Sequence, residues 1–221
     1  MSRIDSVPRP IHRLYRRAVA LIQRMRPHRS VPQLHAFWRA PDSGNQPADY
    51  LAEGHERSDH LAELLLQYGT TADTVLEIGC NAGRNLERLR RAGFTSLTGI
   101  EINPDALRLL RARLPELAAT ARLHEGPAEE LLPTLDPHDI VFTMAVLEHI
   151  HDTSADRVVF PHIRRITGRL LVTIEDERDR GWRHFPRDYS RVFADFEQVA
   201  AWHDPPGCPP GFVARVFRRR G

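Results

Sequence analysis

The sequence predicts an α/β domain: a doubly wound, mostly parallel seven-stranded sheet that ends in a C-terminal antiparallel strand pair. Three observations predict it. From residue 74 onward, short apolar runs alternate with amphipathic stretches of helical period. The first apolar run breaks at Gly79, directly before such a stretch. The tail sets two segments of strand-like composition, 196–203 and 212–219, on either side of the Pro/Gly loop "DPPGCPPG".

The elements follow in order. Strands are expected at 74–79, 96–102, 121–125, 139–144 and 169–175. Their central runs are mostly apolar, as in strands covered on both faces. Helices are expected at 83–92, at 104–114 behind Pro104, and at 154–166, with a short helical piece near 128–132. Upstream, 58–68 sets Leu61, Leu64, Leu65 and Tyr68 on one helical side. The stretch "APDSGNQPADY", 40–50, is rich in turn formers and reads as a loop. Segment 11–25 brings Ile11, Leu14, Ala18, Leu21, Ile22 and Met25 near one helical face, with Arg over much of the rest. The chain therefore divides into a basic helical leader and loop, 1–50, and a domain over 51–221. A helix of this kind packs on the body, closes over a site as a lid, docks a partner or touches an anionic surface.

Composition excludes several chemistries. All 31 basic residues are Arg. Without Lys there is no P-loop lysine, no kinase strand lysine and no pyridoxal Schiff base. GxSxG is absent, and His55-Glu56 is followed by Asp59 where HExxH needs His. The two cysteines, Cys80 and Cys208, form no CxxC, so a disulfide framework or a Cys-rich metal site lacks support. No apolar run approaches the roughly 18–20 residues that span a bilayer. The N-terminus is too interrupted by Arg and His for a secretory signal. A reducing, cytoplasmic setting is expected. Residues 1–30 hold eight Arg against Asp5, a net of +7, and the remaining 23 Arg and 28 acids leave −5. That mildly acidic body carries no strong nucleic-acid signal.

The turn after the first strand reads Glu77-Ile78-Gly79-Cys80-Asn81-Ala82-Gly83. It fits GxGxxG poorly, because Asn81 and Arg84 stand at the second and third Gly positions. It fits an acid followed, after one residue, by glycines at alternating positions, with Asn81 at the one departure. Asn is the best non-Gly choice where φ is positive. A second acid, Glu101, ends "SLTGIEINP" just before the next helix, where such folds bind ribose. Later come "HEGPAEEL", 124–131, and "DIVFTMAVLEHIHD", 139–152.

Over residues 58–175 this set resembles the class I S-adenosylmethionine-dependent methyltransferases, of the small-molecule type with Leu-Glu-His after strand four. The resemblance implies a Rossmann-like methyltransferase fold and S-adenosylmethionine as cofactor, with S-adenosylhomocysteine as product. It implies cofactor contacts at Glu77, Gly79, Cys80, Asn81, Gly83, Glu101, Ile102, Pro127, Ala128, Glu129, Thr143 and Met144. Glu77 would hold the methionine ammonium and Glu101 both ribose hydroxyls. Pro127 stands where an acid often meets adenine, which leaves the Ala128 N–H for that contact. Glu129 is a substitute acid or a helix N-terminal charge.

Transfer from a sulfonium needs alignment of the acceptor, exclusion of water and, for a hydroxyl or ammonium, a base. His149 and His151 are candidates. On a helix starting near 146 they diverge, which favours His149, with Glu148 as its orienter or as a cofactor-side polar contact. Glu175 is a further candidate base. The segment 175–193 offers Trp182, His184, Phe185, Arg187 and Tyr189 for an acceptor pocket. Relatives with Glu-x-x-Glu-His hold a divalent metal through both acids and the His. Here Ala145 replaces the first acid, so no metal is expected. A small-molecule acceptor is the primary expectation. An RNA or protein acceptor guided by the Arg-rich leader, and a non-catalytic cofactor-binding module, are the alternatives.

Overall fold

The computed structural model describes residues 29–40, 46–52 and 56–221. The expected helix at 11–25 and most of the Arg-rich leader lie outside them. Seven strands form one sheet in the order β3-β2-β1-β4-β5-β7-β6. They are β1 (Thr74–Ile78), β2 (Ser96–Glu101), β3 (Arg122–Glu125), β4 (His138–Met144), β5 (Thr167–Asp176), β6 (Glu197–His203) and β7 (Phe212–Arg218). β1 to β5 pair in parallel, and β7 runs antiparallel between β5 and β6. The predicted fold class is therefore the observed one.

Burial explains the central order. Val75, Leu76 and Ile78 of β1 and Ile140, Val141 and Phe142 of β4 are at most 1% exposed, because helices cover both sheet faces. One apolar cluster contains Leu61, Leu86, Leu107 and Phe142, and a second contains Leu76, Val141, Ile163 and Phe193. Adjacent side chains of a strand thus enter opposite layers. The order reverses between β1 and β4, which opens a crevice at their carboxyl ends.

Before the sheet come α1 (Val31–Arg39), α2 (Pro47–Ala52) and α3 (Glu56–Tyr68). The sequence reading passed over α1, although Ser30 and Gln33 mark its start: the Ser30 N–H donates to Gln33 Oε1 at 3.0 Å. α2 begins inside the stretch expected to be loop, since Pro47 presets a helical φ in the first turn. α4 (Arg84–Arg91) and α5 (Pro104–Arg113) follow β1 and β2. An unexpected helix, α6 (Pro115–Thr120), restarts at Pro115. α7 (Ala128–Leu131) is the short piece before β4. The helical run before β5 has a π segment, Ala155–Val159, ahead of Phe160–Ile166. Among the described residues no helix is long and apolar enough to cross a membrane.

Candidate functional site

The turn after β1 takes its shape from three positive φ values: 76° at Gly79, 47° at Asn81 and 83° at Gly83. A Cβ on Gly79 would sit 2.5 Å from Val146 Cγ2, so glycine lets the chain leaving β4 pass close by. Asn81 occupies the left-handed region as expected, and its Oδ1 accepts the Ala82 N–H at 2.7 Å. The Gly79 and Cys80 N–H groups donate to Ile100 O, tying the turn to β2.

Glu77 and Glu101 end neighbouring strands and line one cavity with this turn. Glu77 is 1% exposed. Its Oε1 accepts from Asn85 Nδ2 at 2.7 Å, while Oε2 has no partner among the described residues. Burial raises its pKa to about 8 against the opposing Asn85 hydrogen bond and Arg84 charge. Glu101 accepts the Asn81 N–H on Oε2 and the Asn103 N–H on Oε1, each at 2.8 Å. Burial raises its pKa as well, and these backbone bonds oppose the shift.

Ile102, Pro127, Ala128 and Glu129 form the wall beyond β2, and Met144, Ala145 and Val146 the wall beyond β4. α1 adds Val31, Leu34, His35 and Trp38, residues the sequence reading did not assign to the site. His35 Nε2 lies 3.2 Å from Glu129 Oε1, a link from α1 to α7.

At the far end Ala145 turns the chain with φ 57°, and Leu147–His149 forms a 3-10 turn. Two buried acids hold that turn. Glu175 accepts from Thr143 Oγ1 at 2.6 Å, from the Val146 N–H at 2.9 Å and from the Glu148 N–H at 3.3 Å. Glu148 accepts the Asp176 N–H. Burial raises the pKa of both, and for Glu148 the charge of Glu175 adds to it. His149 Nδ1 lies 3.0 Å from Arg183 O, which makes Nδ1 the protonated nitrogen. Burial and the neighbouring His184 and Arg183 hold the ring well below the usual histidine range, so it is neutral. Trp38 covers His149 at 4.6 Å between ring centroids, and His184 lies against it at 4.7 Å.

Several expected site residues stand elsewhere. The helix that starts near 146 is a single 3-10 turn, Leu147–His149, so both His149 and His151 line the cavity, and His151 also caps Asp152–Ser154 through the Thr153 N–H. Glu175 and Thr143 are fully buried and bonded to each other, and neither lines the cavity. Arg187 binds Leu147 O and Ile150 O, each at 2.8 Å, and Asp152 Oδ1 at 2.6 Å, so it staples the turn. Tyr189 is buried with Phe160 and Phe193 in the second apolar cluster, and Phe185 is 1% exposed. Gly83 caps α4 against Leu110 and does not line the cavity. His184 meets His149 from behind, and Trp182 meets Phe37 and Arg29.

The parallel order, the bent turn and the acids at two adjacent strand ends define a class I methyltransferase architecture. Residues 75–167 match the family described as "Methyltransferase domain", and the fold is that of the class I S-adenosylmethionine-dependent methyltransferases. It is 31% identical over 104 residues to the ubiquinone biosynthesis O-methyltransferase of Aromatoleum aromaticum, covering 47% of this chain and 44% of that protein. The match thus spans less than half the length of that curated relative. Magnesium protoporphyrin IX methyltransferase from Synechocystis PCC 6803, solved with bound S-adenosylhomocysteine, has the same fold: TM-score 0.68, 13% identity, 86% of this chain and 100% of that one. The N-methyltransferase NodS of Bradyrhizobium japonicum WM9 gives a TM-score of 0.65 at 20% identity, covering 86% and 98%.

Proposed function

We propose that the chain transfers a methyl group from S-adenosylmethionine to an oxygen or nitrogen of a small molecule. The observation that carries this reading is the pair Glu77 and Glu101, aimed from adjacent strand ends into one cavity. The residues fit the cofactor. Glu77 Oε2, buried and unpartnered, suits an ammonium. The Glu101 oxygens are fixed by backbone N–H groups, Asn81 on one and Asn103 on the other, and keep lone pairs for ribose hydroxyls. The Ala128 N–H and the wall around Pro127 suit a purine edge. When bound, the cofactor supplies an electrophilic methyl group on its sulfonium.

The acceptor then lies at the His149 end. There Met144, Ala145 and Val146 exclude water, and α1 closes the cavity from above with Leu34 and Trp38. A site roofed in this way suits a small acceptor. With Nδ1–H committed to Arg183 O, His149 has its lone pair on Nε2, the atom that takes up the acceptor proton. Glu148 positions the turn that carries it. Calorimetry with S-adenosylhomocysteine tests the cofactor reading, and micromolar binding is expected. Absence of binding to the folded chain overturns it. With an acceptor in hand, His149→Ala lowers turnover by about 10²–10⁴-fold while that affinity stays within a few fold. Unchanged turnover removes His149 from the chemistry.

A further inference from the structure

We infer that Arg183 is a positioning residue that joins the roof helix α1 to His149, so that the roof in place keeps the imidazole proton on Nδ1 and the lone pair on Nε2. The loop after β5 reaches the site through a tight turn, 181–184, whose ends bond to each other. The His184 N–H donates to Gly181 O at 3.2 Å, and the Gly181 N–H to His184 O at 3.4 Å. The corner residues, Trp182 and Arg183, keep their carbonyls for donors outside the turn. Trp182 O accepts the Arg29 N–H at 3.1 Å, just ahead of α1, and Arg183 O lies 3.0 Å from His149 Nδ1. One turn thus holds the entry to α1 and the imidazole at once. The next residue anchors it: the Phe185 N–H donates to Glu148 O at 2.7 Å.

The side chains repeat the link. The Arg183 guanidinium lies 5.3 Å from the Phe37 ring, 5.4 Å from Trp38 and 5.5 Å from Trp182. Arg29 covers Trp182 at 4.1 Å, and Phe37 stands edge-on to Trp182 at 5.2 Å and to Trp38 at 5.0 Å. Cations attracted to several ring faces at once tie the two segments together. The aromatic pair of α1 therefore fixes where Arg183 sits, and Arg183 carries the carbonyl that fixes the His149 tautomer. A free neutral imidazole favours its proton on Nε2, so the tautomer a base at Nε2 needs is one the turn imposes. Electrostatics acts in the same direction. Burial, His184 and the charge of Arg183 keep the ring neutral. Glu148 Oε1 lies 3.5 Å from Nε2, long for a hydrogen bond, and leaves that lone pair available.

The effect of Arg183 on turnover rests on the methyl-transfer reading; its hold on the tautomer does not. Phe37 gives the cleanest test, because it touches Arg183 and does not line the cavity. The full chain, isotope-labelled at the histidine nitrogens, is read by the imidazole nitrogen shifts, with His149→Ala marking the His149 signals. The wild type should show Nδ1 protonated and Nε2 bare. Phe37→Leu and Arg183→Met both keep side-chain bulk and remove one partner of the cation–ring contact. In proteins that melt cooperatively, each should move His149 toward the Nε2–H tautomer by about three- to tenfold, the worth of one neutral hydrogen bond. Arg183→Lys keeps a cation among the rings and should recover much of the wild-type ratio. A wild-type His149 with its proton on Nε2, wild-type ratios in both Phe37→Leu and Arg183→Met, or an Arg183→Lys ratio no nearer wild type than that of Arg183→Met overturns the inference. S-adenosylhomocysteine calorimetry on the same preparations separates the two readings. Cofactor binding with an unlinked tautomer removes only the role of Arg183, and a linked tautomer without cofactor binding removes only methyl transfer.

Discussion

Glu77 offers the sharpest test, because its buried carboxyl is protonated where a bound ammonium would need it ionised. With a pKa raised to about 8, roughly nine in ten Glu77 side chains carry a proton at pH 7. If S-adenosylhomocysteine places its ammonium on Oε2, binding expels that proton. The penalty at pH 7 is about 1.4 kcal/mol, a tenfold loss against the fully ionised state. The ionised fraction grows about ninefold from pH 6 to pH 7, and affinity should follow it. Calorimetry at pH 7 in two buffers of different ionisation enthalpy should count about 0.9 proton released for Glu77. Glu77→Gln should keep the Asn85 hydrogen bond, lose this proton and flatten its part of the pH profile. The free protein gives an independent readout. A carboxyl whose folded pKa lies above its unfolded 4.5 holds a proton the unfolded chain has lost, so its contribution to stability declines as pH rises from about 4.5 to about 8. The full decline is on the order of 4–5 kcal/mol, and the glutamine variant should not show it. Equal proton counts for wild type and Glu77→Gln, with parallel pH profiles, would refute the ammonium assignment.

Three further outcomes are expected. Glu101→Ala should weaken S-adenosylhomocysteine binding by roughly 1–3 kcal/mol in a protein that melts cooperatively, and unchanged affinity would remove the ribose role. Gly79→Ala should lower stability in denaturant titration by about 2–3 kcal/mol, since the position combines φ 76° with a 2.5 Å approach of Val146; a neutral result would mean the turn relaxes. Trp38→Ala should speed ligand dissociation in stopped-flow measurements by about 5–30-fold, for roughly 1–2 kcal/mol of lost contact; an unchanged rate would show that α1 does not retain the ligand.

The sheet was legible because its determinants are local. Apolar runs such as "TVLEIG" and "DIVFTM" are long enough for buried strands, and Gly79 punctuates the first one. The tail hairpin was legible from its Pro/Gly loop. α1 was less legible because it is only nine residues long and buries Leu34 alone, although Ser30, Pro32 and Gln33 carry a helix-start signal. α6 was missed because Pro115 reads as a stop, while a proline in a first turn also restarts a helix.

The candidate site divides along the same physical line. Glu77, Gly79, Asn81 and Glu101 are positioned by the strand ends that carry them, so their spacing in sequence already fixes their spacing in space. The loop after β5 has no such frame. Arg187, His184 and Tyr189 look alike in sequence as polar or aromatic loop residues, and only folding separates them. Arg187 goes to the Leu147 and Ile150 carbonyls around the Leu147–His149 turn, Tyr189 to the core under Phe160, and His184 against His149. The carbonyls decide the first case. A tight turn leaving a strand exposes acceptors that must be satisfied, and a five-donor guanidinium nearby satisfies two of them and Asp152 together. An arginine near a tight turn therefore has a structural claimant before any substrate arrives, whereas Glu77 meets Asn85 through Oε1 and keeps an Oε2 with no partner among the described residues.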